Sequence, residues 1–219
     1  MNNVSVQDWG LRPYDDALNA MRDLLQARLD GAVGDTLVLV EHPAVITIGR
    51  QGSEANILVP HEFLAHYRIK LEHVERGGDV TYHGPGQLVA YPVFHMPEGR
   101  RNVKELIRRL ERAIIATCAD FGVPAEAVDG LTGVWSNGRK IASIGLAFKR
   151  WTSYHGVALN VDADLEPFSF MHLCGLQGKE ATSLAMERGD DAPPVTVADV
   201  KPVLAKHIIT AWNEFCHGN

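Results

Sequence analysis

Two side chains in this sequence stand where a nucleophile and a base would be useful. Cys174 lies in the segment 171–176 (MHLCGL), and the glycine after it leaves one flank of the thiol open. Loop residues of this kind often contact substrates. Lys140 begins an apolar strand directly after a turn, so a cleft beside the sheet would desolvate its ammonium and favour general-base chemistry. The alternatives are a half-buried loop thiol and a strand-end lysine that points into water.

The remaining cysteines and histidines give weaker signals. Cys118 falls on an apolar helical stripe and is expected to be a buried, inert thiol. Cys216 lies beside His217 near the C-terminus, where chain ends commonly fray. A zinc site would need close ligand pairs such as CxxC or HExxH, so no metal is expected. The serines lack the GxSxG pattern of a nucleophile elbow.

Residues 76–87 read RGGDVTYHGPGQ and contain four glycines. Glycine removes the Cβ and lets the backbone turn or approach a neighbour closely, and Pro85 excludes a helix here, so the segment is predicted to be a shaped loop. Neither GxxxxGK[ST] nor a GxGxxG that opens a helix is present, which argues against a phosphate loop. Two interpretations remain: a wall that holds an extended ligand through backbone contacts, and a glycine-rich turn between strands.

Hydrophobic spacing predicts the elements that must position these residues. Helices are predicted over 13–29 and 102–122, and a third begins after the capping-box pattern at 196–199, with Pro202 as a kink candidate. Asn137-Gly138 between apolar runs indicates a β-hairpin. Strands are predicted at 37–40, 45–49, 69–73, 88–94, 133–136, 139–148 and 155–161. The fold class is therefore α+β, a mixed or antiparallel sheet packed with helices, in one catalytic domain over 1–219.

Composition narrows the class of protein. The chain has 219 residues, of which 46% are hydrophobic, and a net charge of −6. It has no apolar run long enough to span a membrane and no basic segment followed by an apolar core as in a signal peptide. Three cysteines without CxxC argue against a disulfide framework and for a reducing cytoplasm. The acidic balance gives no support for nucleic-acid binding.

Four motifs occur in order: RGGDVTYHGPGQLVAYP, GVWSNGRKIASIGLAFKRW, YHGVALNV and HLCGL. Together they resemble the lipoyl(octanoyl) transferases of lipoate biosynthesis. The resemblance implies a fold like that of biotin and lipoate protein ligases, related to class II synthetase cores, with Cys174 as the acyl-carrying nucleophile and Lys140 as its partner. It also implies an acyl site lined by Arg76, Gly77, Gly78, Asp79, Val80, Thr81, Tyr82, His83, Ser143, Ile144, Gly145, Gly156, Val157 and Ala158.

The resemblance also implies partners. The donor would be octanoyl-acyl carrier protein, with no other cofactor, and the acceptors would be lipoyl domains of 2-oxoacid dehydrogenases and the glycine-cleavage H protein. The carrier is acidic, and the helix from 102 carries Lys104, Arg108 and Arg112 on one face. That face and the pair Lys149-Arg150 are rival docking surfaces, and a merely solvated face is the alternative.

Three other functions fit some of these residues. An ATP-dependent lipoate or biotin ligase would adenylate a free carboxylate and need no cysteine. A non-catalytic acyl- or carrier-binding module would tolerate the loss of Cys174. A cysteine hydrolase would pair Cys174 with His83 or His172. Any acyl-transfer site would also need an oxyanion hole, for which backbone N–H groups near Gly77-Gly78 or Gly145 are the candidates.

Overall fold

The structure is a computed structural model that describes residues 3–172 and 178–218. Cys174, the predicted nucleophile, lies outside the described residues. Seven strands form one sheet in the order β1-β2-β6-β10-β9-β8-β7, and three form a second in the order β4-β3-β5. The strands are β1 Ser5–Leu11, β2 Thr36–Glu41, β3 Val45–Ile48, β4 Lys70–His73, β5 Val80–His83, β6 Gln87–Val93, β7 Glu126–Val128, β8 Leu131–Ser136, β9 Arg139–Lys149 and β10 Thr152–Asn160.

The large sheet is antiparallel except where β1 pairs with β2, and in the small sheet β3 pairs parallel with β4 and antiparallel with β5. Within the described residues, five α-helices accompany the sheets: α1 Tyr14–Leu29, α2 His61–His66, α3 Val103–Asp120, α4 Leu184–Arg188 and α5 Val197–His217. Helices α3 and α5 pack on one face of the large sheet and form its main core, whereas α1 packs on the other face. This mixed sheet covered by helices confirms the predicted α+β class.

Local signals explain several of these elements. Asn137 and Gly138 both have positive φ, at 48° and 77°, and form the predicted turn between β8 and β9. Thr196 and Asp199 form the predicted capping box at the start of α5, and the helix continues through Pro202. Cys118 is fully buried on α3, as predicted. Cys216 lies within α5 and packs against the main core, so the last turn of this helix is ordered rather than frayed.

The sequence predicts a loop over the whole segment 76–87, whereas the structure has a strand in its middle. Val80–His83 forms strand β5, because its residues pair with β3 from Val45↔His83 to Ile48↔Val80. Sequence spacing also missed β1 and β7, which lie at the two edges of the large sheet. Most of their residues are exposed, so no alternation of apolar and polar side chains marks them.

Candidate active site

A cleft lies between the segment 76–83 and the middle of the large sheet. It encloses about 500 Å³ including its open mouth. Its walls contain Lys140 and twelve of the fourteen predicted acyl-site residues: Arg76, Gly78, Asp79, Val80, Thr81, His83, Ser143, Ile144, Gly145, Gly156, Val157 and Ala158. The structure therefore brings residues of three of the four sequence motifs to one cavity.

Two predicted lining residues are not among the cleft walls. Tyr82 points the other way, into the core of the small sheet, where its ring meets Phe168 edge-on. Gly77 instead serves to attach the segment to the large sheet: its N–H donates to the carbonyl of Leu146 at 2.8 Å. That N–H is consequently already engaged and is no longer an oxyanion-hole candidate.

Lys140 is buried at the start of β9, with 3% of its surface exposed. Its Nζ donates to the carbonyl oxygen of Thr132 at 3.1 Å and lies 5.5 Å from the centre of the Trp135 ring. The alternative of a strand-end lysine in water is therefore excluded. The Nζ of Lys179 lies at the same distance from the same ring, so two ammonium groups share one indole.

The described chain is held by backbone hydrogen bonds on both sides of 173–177, and on the downstream side these bonds are to Lys140 itself. Upstream, the N–H of His172 donates to the carbonyl of Asn56 at 2.8 Å. Downstream, the Lys140 N–H donates to the Glu180 carbonyl at 2.8 Å, and the Thr182 N–H donates to the Lys140 carbonyl at 2.9 Å. The chain that leaves Cys174 thus reaches the backbone of Lys140 within six residues, a span of at most about 20 Å when fully extended.

The segment 76–78, which we call the roof of the cleft, is held in place by Arg76. Its Nε and Nη2 donate to the Thr47 hydroxyl at 3.1 and 2.8 Å, and Nη2 also donates to the Thr47 carbonyl at 2.7 Å. Such charge-assisted bonds are stronger than neutral ones. They fix the start of the segment to β3, and this geometry explains why an arginine stands beside two glycines.

Two glycines that face the roof, Gly145 and Gly49, lie directly against its backbone. A Cβ on Gly145 would stand 2.8 Å from the Gly77 carbonyl oxygen, and one on Gly49 would overlap the Gly78 carbonyl oxygen. Real Cβ atoms do not approach so closely, so roof and sheet touch only because these side chains are missing. The sequence left two interpretations of these glycines, backbone contact with a ligand or a turn between strands. The structure shows close contact, and part of it is with the backbone of the protein itself.

Gly145→Ala is expected to push the roof off the sheet, because the new methyl would meet the Gly77 carbonyl and the Arg76 side chain, which lies 3.0 Å away. We expect the activity of the cleft to fall by roughly 100-fold, the usual order for an ångström-scale displacement at a site, with a lower melting temperature. Gly34→Ala is the matched control, since its Cβ would meet only Asn3 O at 3.9 Å. Equal activity of both variants would contradict this account of the roof.

Four aromatic side chains form a cluster at the cleft that the sequence did not reveal as a unit: Tyr14, His42, His83 and Tyr91. His83 Nδ1 bonds Gln87 Oε1 at 2.7 Å, and the Gln87 amide nitrogen donates to Tyr82 O and Asn160 Oδ1. The Gln87 oxygen is therefore the acceptor, and His83 is protonated on Nδ1. Its Nε2 is left as an acceptor.

Burial keeps three histidines neutral: His83 and His155 in the cleft walls, and His42, which packs against His83. It lowers the pKa of His83 to about 3 and those of His42 and His155 to about 4. In the unfolded chain each of these histidines has its ordinary pKa of 6.5 and takes up a proton when the pH falls below that value. The stability they contribute is thus fully present above pH 6.5 and is lost as the pH falls towards 4.

We accordingly expect the free energy of unfolding to fall between pH 7.5 and 5, by on the order of 2 kcal/mol for each of these histidines. Urea denaturation at the two pH values measures it. His42→Gln should flatten the dependence, whereas His66→Gln, at an exposed position, should not. A free energy of unfolding that is the same at both pH values would contradict the neutral cluster.

Three buried polar atoms in the cleft walls have no hydrogen-bond partner within the described part of the chain: Asp79 Oδ1, Thr81 Oγ1 and His155 Nε2. An unpaired buried polar group costs free energy unless a ligand or water satisfies it. His155 also has φ +56° in the middle of β10, a conformation that is strained for this residue. Unpaired polar atoms and strain together are typical of a binding site.

Sequence reasoning missed four lining residues: Tyr14, Val89, Tyr91 and His155. Val89, Tyr91 and His155 stand inside motifs already recognised, and strand alternation places Val89 and Tyr91 on one face of β6. Tyr14 gave no signal, because it opens α1 sixty residues before the roof. Among residues 3–172 and 178–218, no three His, Cys, Asp or Glu side chains are grouped to hold a metal, and no helix there is long and apolar enough to cross a membrane.

Comparison with known proteins links the cleft to a family. A model of the lipoyl protein ligase A/B catalytic domain matches residues 13–209. The octanoyltransferase of Nitratidesulfovibrio vulgaris strain Miyazaki F is 46% identical over 203 residues, which cover 93% of this chain and 92% of the relative. An octanoyltransferase of Bacteroides fragilis is 40% identical over 214 residues, 93% of this chain and 96% of the relative.

Solved structures show the same fold at low identity. A bipartite lipoate protein ligase from Thermoplasma acidophilum superposes with a TM-score of 0.74 at 15% identity, over 97% of this chain and 85% of that one. A biotin protein ligase from Aquifex aeolicus gives 0.56 at 12% identity, over 99% and 71% of the two chains. These likenesses confirm the predicted biotin/lipoate ligase-like architecture.

Proposed function

This chain belongs to the lipoyl protein ligase A/B catalytic domain family, as an octanoyltransferase, and from that membership we propose that it moves octanoyl from an acyl carrier protein thioester to a lysine of lipoyl domains through a Cys174 acyl-enzyme. The acyltransferase activity follows from the family. The donor, the cysteine intermediate and the particular acceptors, in 2-oxoacid dehydrogenases and the glycine-cleavage H protein, are our proposal.

The observation that carries the proposal is the buried Lys140 in the wall of an apolar cleft, with residues 180–182, a few positions after Cys174, hydrogen-bonded to its backbone. A free thiol is mostly protonated at neutral pH, and a neighbouring ammonium stabilises the thiolate that attacks. Bonds from Lys140 to Thr132 and along Glu180–Thr182 hold this lysine in place. The arrangement supports a Cys–Lys pair.

The first half-reaction forms a bond between the Cys174 sulfur and the octanoyl carbonyl carbon and breaks the bond from that carbon to the carrier sulfur. The departing carrier thiolate takes a proton from the Lys140 ammonium and leaves as a thiol, so that Lys140 is neutral for the second step. One thioester replaces another, so this step is near balance. In the second, an acceptor lysine amine attacks the acyl-enzyme, Lys140 takes the proton, and Cys174 leaves as a thiolate. An amide is much more stable than a thioester, so the cycle runs forward without ATP.

The cleft walls support an acyl ligand. Ile144, Val157, Ala158 and Val89 give apolar contact, and the glycines leave room along the backbone. Burying apolar surface contributes about 25 cal/mol per Å², which favours a hydrocarbon chain. Gly78, with φ +86° beside the cleft, is the remaining oxyanion candidate of the glycine pair.

Mass spectrometry tests the proposal directly. The pure protein is mixed with octanoyl-acyl carrier protein without ATP, and its peptides are analysed. We expect an octanoyl mass on the Cys174 peptide that disappears when an apo-lipoyl domain is added. Transfer that appears only with ATP, and no adduct on any cysteine, would mean a ligase mechanism. Free octanoate released without acceptor would mean a hydrolase.

A further inference from the structure

A basic groove runs between α3 and the turn that joins β7 to β8. It encloses about 1090 Å³ including its open mouth. Its walls are Lys104, Ile107, Arg108, Glu111 and Arg112 of α3 and residues 127–132 of the neighbouring strands and turn. We call this feature the α3 groove. Apart from Thr132, the mechanism above uses none of these residues.

The α3 groove has a rim of three cations. Lys104, Arg108 and Arg112 recur every four residues, so they lie on one face of the helix. All three are exposed, and in the described part of the chain none forms a salt bridge. Arg109, the residue after Arg108 on α3, is in contrast paired, with Glu105 and Glu214. Three unpaired cations on one face are notable in a chain of net charge −6.

Two acidic residues also line the α3 groove, so three cations face two carboxylates and a formal excess of one positive charge remains. Glu111 is buried, and its Oε1 accepts a hydrogen bond from the Gly133 N–H at 3.0 Å, so it is committed to the fold. Asp129 lies in the exposed turn. Ile107, Val128 and Leu131 give the groove an apolar component, with Val128 37% exposed on the edge strand β7. An apolar surface with a cationic rim fits an amphipathic acidic partner.

The α3 groove leads to the catalytic lysine. Gly130, Leu131 and Thr132 line it, and the same three residues line a second cavity whose walls include Lys140 and Gly78. The Thr132 carbonyl accepts the hydrogen bond from Lys140 Nζ. Lys140 and Gly78 in turn line the acyl cleft. The α3 groove, the second cavity and the acyl cleft are therefore neighbours one after another along this side of the sheet, each sharing wall residues with the next.

We propose that the α3 groove is the docking surface of the acidic acyl carrier that donates the octanoyl group, with the phosphate of its prosthetic arm drawn to the cationic rim and the arm passing over residues 130–132. This inference rests on the proposed function, since it assumes a carrier-bound donor. The rival surface at the β9–β10 turn, Lys149-Arg150, shares no wall with the cavities that contain Lys140.

The test is a double charge reversal, Arg108→Glu with Arg112→Glu, assayed with two donors. One donor is octanoyl-acyl carrier protein and the other is S-octanoylpantetheine, which has neither the carrier nor the phosphate. We expect KM for the carrier donor to rise by about 10-fold or more, as for reversed charges in a steering field, and kcat/KM for the small donor to change less than about twofold. Lys149→Glu with Arg150→Glu is the matched control and should leave both donors unaffected.

Each outcome has a defined meaning. An unchanged KM for the carrier in the Arg108/Arg112 variant, or the same rise in the Lys149/Arg150 variant, would overturn the α3 groove as the docking surface while leaving the acyltransferase intact. Equal loss with both donors, checked against the thermal unfolding midpoint, would also overturn it. Wild-type protein that uses neither donor would remove the proposed function itself. In wild type, KM for the carrier should rise with salt, and in the variant this dependence should weaken.

Discussion

Lys140→Met is expected to lower octanoyl transfer by about 10³-fold or more, because in the proposed mechanism this residue serves both half-reactions and each proton-transfer role alone contributes about 10²–10⁴-fold. Methionine keeps an unbranched apolar stem against Trp135 and removes only the amine. Single-turnover assays separate the two steps: acylation of the enzyme by the carrier donor, and loss of the acyl group to a lipoyl domain. Both rates should fall.

Lys179→Met is the control for this variant. Lys179 stands 5.5 Å from the same Trp135 ring as Lys140, so its removal tests whether any cation at the indole suffices. We expect most of the activity to remain. A Lys140→Met protein with near-native turnover would eliminate the dual role, and a defect confined to the second step would reduce Lys140 to a base for the acceptor.

Cys174→Ser is expected to abolish both the acyl-enzyme and transfer, by about 10⁴-fold or more, as when other covalent enzymes lose their nucleophile. A serine hydroxyl is a far weaker nucleophile than a thiolate beside an ammonium. The measurement is gel-shift transfer to a lipoyl domain, together with the mass of the enzyme after exposure to donor.

Cys118→Ala is the matched control for the cysteine series. Burial raises the pKa of the Cys118 thiol to about 12, so this cysteine has no thiolate to offer near neutral pH. Its removal should cost stability and leave transfer per folded molecule intact. If Cys174→Ser kept carrier-dependent transfer, direct attack by the acceptor amine would replace the proposed intermediate.

The parts of the fold that sequence predicted well are those with strong local chemistry. Asn137-Gly138 determines its own turn through positive φ, and the Thr196–Asp199 box determines the start of α5. Edge strands such as β1 have no such signal, because water covers most of their side chains. The strand β5 was hidden for another reason: its pairing partner β3 lies more than thirty residues earlier, and its neighbours are glycines.

The site could be predicted as a set of motifs but not as a geometry. Motif order brought together Arg76, Ser143 and Gly156, which the structure finds in one cleft. No local sequence pattern indicated that the Gly77 N–H would donate to the Leu146 carbonyl, or that Tyr14 would line the same cavity. These are tertiary contacts, and the roles of Cys174 and Lys140 stay predictions.

The contact between roof and sheet at Gly77 and Gly145 has a consequence for ligand selection. A pocket bounded by side chains can widen when a rotamer changes, but here the width of the cleft is fixed by direct contact between two main chains. Hydrogen bonds from Gly77 to Leu146 and from Arg76 to Thr47 maintain that width. The cleft cannot widen at this point by a change of side-chain rotamer, so we expect it to bind straight acyl chains better than branched ones.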